Sequence, residues 1–345
     1  MKTNFKSIYT ILLIVFTIFF SCTKEKNNLY SISISPNTMV GTPAENFSLQ
    51  QIKMFQASNN FISLLLTDIA KDSSINNFAV APLYLINTLL NDTTYEVWQK
   101  GFLKHYNLSE LSHMQRLNSE KSFLQTVKEI DSSINITTSI EAQSDTILNI
   151  FQNFEIKLMY PDAAPNNIDN IFTTFDNKKP RLEFITINGD IRTYRNDNEI
   201  ATELPIGNGN YMLILIRPLN ESIKDYTAHF SEEKYSTLIN NMQERKINVS
   251  LPLFEINDTV SNLPMPQYTY EDSTVIFPKR LNILSCFKLT KATQADLNAN
   301  TTSTANNSIF QSNNSEIIKY SSPFLFIVRG KNSNLIMFCG IFCTP

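Results

Sequence analysis

Three kinds of hydrophobic pattern follow one another along the chain. Residues 8–20 form a near-continuous apolar run, interrupted only by Thr10 and Thr17. From residue 49 onward, Ile52, Phe55, Ile62, Leu65, Leu66 and Ile69 recur at helical spacing and predict an amphipathic helix. Residues 76–82 read as a short apolar strand closed by Pro82, and 83–90 as a buried helix. Residues 91–150 are amphipathic and predicted mostly helical, with a β-prone patch at 134–140, and 147–159 predict a further helix. After a loop-rich stretch at 160–180 the period changes to two. Strands are expected at 182–187, around Tyr194, at 211–216 and at 247–256. A helix over 231–242 interrupts them, with Ser231 as its cap and Glu232 and Glu233 in its first turn. The chain closes on two apolar stretches, 324–329 and 335–343, around a turn at 331–334. Strands so continuously apolar are expected to form a hairpin buried on both faces. Helices first and strands later predict an α+β fold, with residues 49–345 as one domain.

The opening run is 13 residues long, too short to span a bilayer and suited to a signal peptide behind the basic Lys2 and Lys6. It ends in Phe19-Phe20-Ser21-Cys22, which resembles the bacterial lipobox. Residues 1–21 are therefore expected to be a lipoprotein signal peptide and Cys22 the acylated mature N-terminus. Residues 22–48, polar and carrying Pro36 and Pro43, read as a tether. Dual acylation gives stable anchoring where a single chain does not. The expected location is the outer membrane or cell surface of the envelope, with the periplasmic face as the alternative.

Composition narrows the chemistry. A chain of 345 residues, 42% hydrophobic and with a formal net charge of −3, can build a sizeable core and has no nucleic-acid footprint. Beyond Cys22 the cysteines are Cys286, Cys339 and Cys343. Cys339 and Cys343 lie about 13 Å apart along a strand, and a disulfide needs Cα atoms within about 7 Å. All three are expected to be buried small hydrophobes rather than a disulfide or metal framework. His105, His113 and His229 are scattered, and no HExxH, G-x-S-x-G or P-loop occurs. Gly207-Asn208-Gly209 reads as a hairpin turn. No catalytic site, metal or cofactor is expected.

Several segments, in order, resemble the serpin family. Residues 55–70 followed by Asn77-Phe78-Ala79-Val80-Ala81-Pro82-Leu83 are similar to the family's first helix and its N-x-F-x-S-P-L strand-to-helix passage. Glu203-Leu204-Pro205 with Met212-Leu213-Ile214-Leu215-Ile216-Arg217-Pro218 resembles E-L-P-Y followed by M-x-I-x-L-P. Phe230-Ser231-Glu232-Glu233 and Val249-Ser250-Leu251-Pro252-Leu253-Phe254 resemble L-T-x-E and V-x-L-P-K-F. The most specific match is Ser322-Pro323-Phe324-Leu325-Phe326-Ile327-Val328-Arg329 with Phe338-Cys339-Gly340-Ile341-Phe342-Cys343-Thr344-Pro345, close to the family's C-terminal signature. The resemblance implies a monomeric protease inhibitor that works mechanically. A target protease, serine or alternatively cysteine, cuts an exposed loop, and the cut loop inserts as a new strand into the central sheet.

Counting back from Pro323 by the family's usual spacing puts this loop at about 296–318 and its hinge at 296–306. Read with period two, the inward face of the hinge is Ala299, Thr301, Ser303 and Ala305, all small. The other face is Asn298, Asn300, Thr302, Thr304 and Asn306. Asp296 stands where the family usually has Glu, and Asn298 where it has Gly. Phe310, Gln311, Ser312 and Asn313 bracket the scissile bond.

The chain departs from the family at three places. Ala81 and Tyr84 replace two serines, and Phe287 replaces a histidine. In the family these polar groups share a buried hydrogen-bonded network where the central sheet opens, so an apolar replacement is expected here. Between the helix expected at 147–159 and Glu203 there is no N-A-x-Y-F-x-G-x-W segment, and the only Trp, Trp98, lies elsewhere. A reduced central sheet is therefore expected, lacking a strand that flanks the inserted loop; 182–187 is a candidate substitute, although Gly189–Glu199 aligns better with the segment that follows that strand. The alternative function is a serpin-fold binding module on the cell surface that no longer inserts its loop.

Overall fold

The computed structural model describes residues 30–31, 46–47, 49–71, 77–82, 85, 134–144, 147–158, 164–165, 170–206, 211–264, 280–291 and 316–345. In chain order the elements are β1 (Tyr30–Ser31), β2 (Asn46–Phe47), α1 (Leu49–Ala70), β3 (Phe78–Val80), β4 (Ile134–Ser144), β5 (Ile147–Leu158) and β6 (Ala164–Pro165). There follow β7 (Phe184–Arg195), β8 (Glu199–Ile206), β9 (Tyr211–Pro218), α2 (Ile223–Ala228), α3 (Glu232–Asn241), β10 (Gln243–Pro252) and β11 (Phe254–Pro264). The last are β12 (Arg280–Lys291), β13 (Ile317–Lys319), β14 (Phe324–Gly330) and β15 (Ile336–Phe342).

Among the described residues, β1 pairs with β2 and the other strands form two sheets. One has the order β13-β10-β7-β8-β9-β14-β15-β3, with β6 also on β7; the other is β11-β12-β5-β4. The larger sheet is the middle layer, packed on the smaller sheet through one face and on the helices through the other. This makes the C-terminal hairpin apolar throughout. Phe324, Phe326 and Val328 of β14 join the aromatic core that also holds Phe154, Phe254 and Phe287 of the smaller sheet. Leu325 and Ile327 join Phe61, Leu65 and Ile69 of α1 and Tyr226, Tyr235 and Leu238 of α2 and α3. All seven residues of β14 and of β15 are buried, as strands with two covered faces must be.

The caps behave as their residue types require. Ser231 Oγ accepts from the Lys234 N–H at 3.1 Å to start α3, and Ser222 Oγ does the same for Asp225 in α2. Two segments carrying the family resemblance meet at a buried ion cluster. The Glu203 carboxylate accepts from Arg329 Nε at 2.7 Å and from Arg192 Nη1. Arg329 Nη1 also donates to the carbonyls of Gly330 and Lys331 and to Asn334 Oδ1. A buried charge is tolerated only when its partners are complete, as they are here. Gly340 is fixed by contact, since a Cβ there would collide with the Phe78 carbonyl oxygen and the Phe326 ring. That absence of a side chain lets β3 lie against β15.

Two expectations fail. Residues 147–159 are not a helix; β5 is a strand, paired with β4 on one side and β12 on the other. Ile147, Phe151, Phe154 and Leu158 fall at helical spacing and conceal a period-two inward face of Ile150, Gln152, Phe154, Ile156 and Leu158. Ladder bonds on both edges override the helical signal. The strand at 182–187 belongs to β7, antiparallel to β8 and β10 in the larger sheet, so it substitutes for nothing in the smaller one. The β-prone patch at 134–140 is the start of β4. Most of 83–133 lies outside the described residues, as does the turn at 207–209.

Candidate functional site

The site is assembled where the chain enters and leaves the predicted loop. The hinge positions Asp296, Asn298, Ala299, Thr301, Ser303 and Ala305 lie outside the described residues, as do Phe310, Gln311, Ser312 and Asn313. So do Cys22 and Tyr84. The chain departs at Lys291, the end of β12 in the smaller sheet, and is described again at Glu316 beside the larger one.

The return point is held firmly. The Glu316 carbonyl accepts from Asn248 N at 2.9 Å, and its carboxylate pairs with Arg195 at 2.8 Å. β13 then runs parallel to β10 from Ile317 to Lys319. Arg217 Nη1 donates to the Lys319 carbonyl. The Tyr320 hydroxyl, buried, donates to the Leu215 carbonyl at 2.8 Å and lies 2.9 Å from Thr202 Oγ1.

The departure point is different. β12 lies parallel to β5 over 12 consecutive residue pairs, Arg280↔Ile147 to Lys291↔Leu158, without a register break. Both flanking pairs of this sheet, β11–β12 and β4–β5, are antiparallel. A segment turning back from Lys291 would therefore run antiparallel to both members of the central pair. Parallel pairing is the slightly weaker kind per residue, so a strand placed in this seam would replace one parallel ladder with two antiparallel ones.

The inward face of the seam is a stack of register partners: Ile150 with Ile283, Gln152 with Ser285, Phe154 with Phe287, and Ile156 with Leu289. Phe287 packs on Phe326 with ring centroids 4.6 Å apart, on Phe254 at 5.4 Å and on Phe154 at 6.2 Å. At Ala81 and Phe287, then, the expected apolar replacement is present. Polarity at the seam nevertheless survives on two other residues, and this corrects the expectation. Gln152 Nε2 donates to the Ala81 carbonyl at 3.2 Å and its Oε1 accepts from Ala81 N at 3.0 Å. Ser285 Oγ donates to the Ala79 carbonyl. Both residues are polar at inward positions of an apolar face, a signal available only once 147–158 is read as a strand. The expected loss of a strand beside β12 is likewise overturned, because β5 pairs with β12 along its whole length.

The remaining thiols are poorly placed for chemistry. Cys339 and Cys343 are buried and free, and burial pushes the Cys343 thiol up to about 12. Cys286 is free and partly exposed rather than buried, its thiol also raised by desolvation and by Glu255. Among the described residues no group of three or more His, Cys, Asp or Glu side chains stands where it could hold a metal ion.

Residues 124–345, well over half the chain, match the family model described as Serpin (serine protease inhibitor). No curated protein matches. Among solved structures, native protease nexin-1 with heparin is similar with a TM-score of 0.59 at 12% identity, over 86% of this chain and 100% of that one. The thermophilic serpin tengpin in its native state gives a TM-score of 0.62 at 14% identity, over 88% and 96% respectively. At such identities the likeness speaks for the fold, and the family match speaks for descent. The chain belongs to the serpin family.

Proposed function

We propose that this protein is an envelope-tethered inhibitor of serine-type proteases that acts through cleavage and insertion of the loop at about 296–318. The observation that carries the reading is the β5–β12 seam: one unbroken parallel pair whose second strand feeds directly into the loop. The hinge sequence supports it, because an inserted strand must place Ala299, Thr301, Ser303 and Ala305 against the Phe154, Phe287 and Phe326 layer, where bulk has no room. The fixed return point at Glu316–Tyr320 supports it too, since only a cut frees the upstream half to move while β13 stays. Serpins generally inhibit proteases and do not catalyse; here the loop is the bait and the fold supplies the free energy.

The test is a mixing experiment with a panel of serine proteases and one cysteine protease. The expected result is a complex that survives boiling in SDS, with the protease covalently held. Clean loop cleavage by every member and no complex would overturn the inhibitory reading. One observation favours a second reading, a binding module that no longer inserts. The aromatic contacts Phe154–Phe287 and Phe254–Phe287 bridge the seam and its neighbour, which stiffens the place that must open.

The anchoring part of the proposal has its own test. Cys22→Ser should shift the protein from the membrane fraction to the soluble fraction of the envelope, because acyl chains and not a helix hold it. A mutant that still pellets with membranes at high salt would remove the lipid anchor.

A further inference from the structure

Residues 170–182 form a small hairpin separate from the loop and its seam. Leu182 N donates to the Asn170 carbonyl, Phe172 N to the Pro180 carbonyl and Thr174 N to the Lys178 carbonyl. Ile171 bridges to Arg181. The tip is the three-residue turn 175–177, closed by Asn177 at a φ of 61°, a conformation that asparagine tolerates. Antiparallel pairing puts Ile171, Thr173, Lys179 and Arg181 on one face of the hairpin and Phe172 and Thr174 on the other. The second face is anchored: the Phe172 ring is buried against Phe342 and Phe324, with centroids 5.1 and 6.4 Å away. Thr173 N also donates to the Ser321 carbonyl, which fixes the hairpin to the body of the fold.

The first face looks outward. Of the five large hydrophobic side chains exposed among the described residues, two stand on this hairpin, Ile171 and Phe175. Phe175 is 47% exposed at the turn, where polar residues are the rule, and Lys224 Nζ lies 5.2 Å from its ring centroid. Lys178, Lys179 and Arg181 are exposed around it. The hairpin's one acid, Asp176, pairs with Lys178 at 2.8 Å. Three cations against one acid make a local excess in a chain whose formal net charge is −3. The next acid along, Glu183, stands beyond the base of the hairpin, away from the tip.

We infer that this tip touches the head-group layer of an anionic membrane, with Phe175 and Ile171 entering the interface and Lys179 and Arg181 facing lipid phosphates. The inference takes its setting from the envelope-tethered reading. Aromatic rings settle at the head-group level of a bilayer, and anionic lipid attracts cations held close to it. The face is too small for a protein partner, since a stable interface takes about 800 Å² from each side. A soluble polyanion would engage the cations and leave the two apolar side chains unused. Alone, a contact of this size is weak and sensitive to salt. Beside a lipid anchor it acts at high effective concentration, so it sets which way the domain faces while the acyl chains hold it.

Vesicle sedimentation with the unacylated Cys22→Ser protein tests this apart from the anchor. Vesicles of phosphatidylglycerol and phosphatidylethanolamine should carry the protein down at low salt, and vesicles of phosphatidylcholine alone should not. Salt at about 0.5 M should release it, because charges are then screened within about 4 Å. Phe175→Ser should weaken partitioning about five- to tenfold, and Lys179→Glu combined with Arg181→Glu at least about tenfold. Leu64→Ser, at a side chain 40% exposed on α1, is the control and should bind as its parent does. Each variant should melt with its parent, so that lost binding is not lost fold. No sedimentation with the anionic vesicles, equal sedimentation with both kinds, binding unchanged by Phe175→Ser, or an equal loss in Leu64→Ser would each overturn the inference. An SDS-stable protease complex from a protein that ignores vesicles would leave the inhibitory reading standing, and vesicle binding without a complex would do the reverse.

Discussion

Thr301→Arg is expected to turn the protein from an inhibitor into a substrate, with the SDS-stable complex falling at least about tenfold. On the proposed insertion Thr301 turns inward and meets the layer formed by Phe154, Phe287 and Phe326. Phe154 and Phe287 face each other across the seam, with Phe326 4.6 Å from Phe287 between ring centroids. A guanidinium there would be buried among rings, at a cost of several kcal/mol. Each 1.4 kcal/mol is about a factor of ten in an equilibrium. Ser303→Glu should behave the same way with the opposite charge. Thr302→Arg, on the other face, stays in solvent and should leave most of the complex intact. Equal losses from Thr301→Arg and Thr302→Arg would mean that no face of the loop turns inward, and the segment would be an ordinary surface loop.

How much of this could be read from the residues alone differs from element to element. The β14–β15 hairpin was legible because a strand covered on both faces needs apolar residues at every position, and such runs are rare by chance. The α3 cap was legible because Ser231 and the two glutamates after it satisfy a purely local requirement. β5 was not legible, for a physical reason: Ile147, Phe151, Phe154 and Leu158 satisfy a helical stripe as well as Ile150, Phe154, Ile156 and Leu158 satisfy a strand. What decides between them is pairing with β4 and β12, and β12 is more than a hundred residues away. The same ambiguity hides the neighbour of β12, because a helix over 147–159 leaves that place in the sheet empty. Gln152 and Ser285 were illegible for another reason. Both bond to main-chain groups of Ala79 and Ala81, and a backbone partner leaves no residue type for a sequence pattern to find. Glu203 and Arg329 stood in the segments that resemble the family, but only the fold brings them together.

If the cut loop inserts, the intact fold is not the most stable arrangement of this chain, and the β5–β12 seam is where the remaining stability is gained. Limited proteolysis within 310–313, followed by a melting scan of the cut but unseparated protein, measures this directly. Insertion would add a strand with ladder bonds on both edges. A gain of about 5 kcal/mol raises the melting temperature of a domain this size by about 10 °C. The trapped state is kinetic, so the cut is needed to release it. The expected result is a rise of about 10 °C or more after cleavage, absent in the Thr301→Arg variant. A cleaved protein that melts at or below the temperature of the intact one would contradict the claim and leave the binding-module reading in its place.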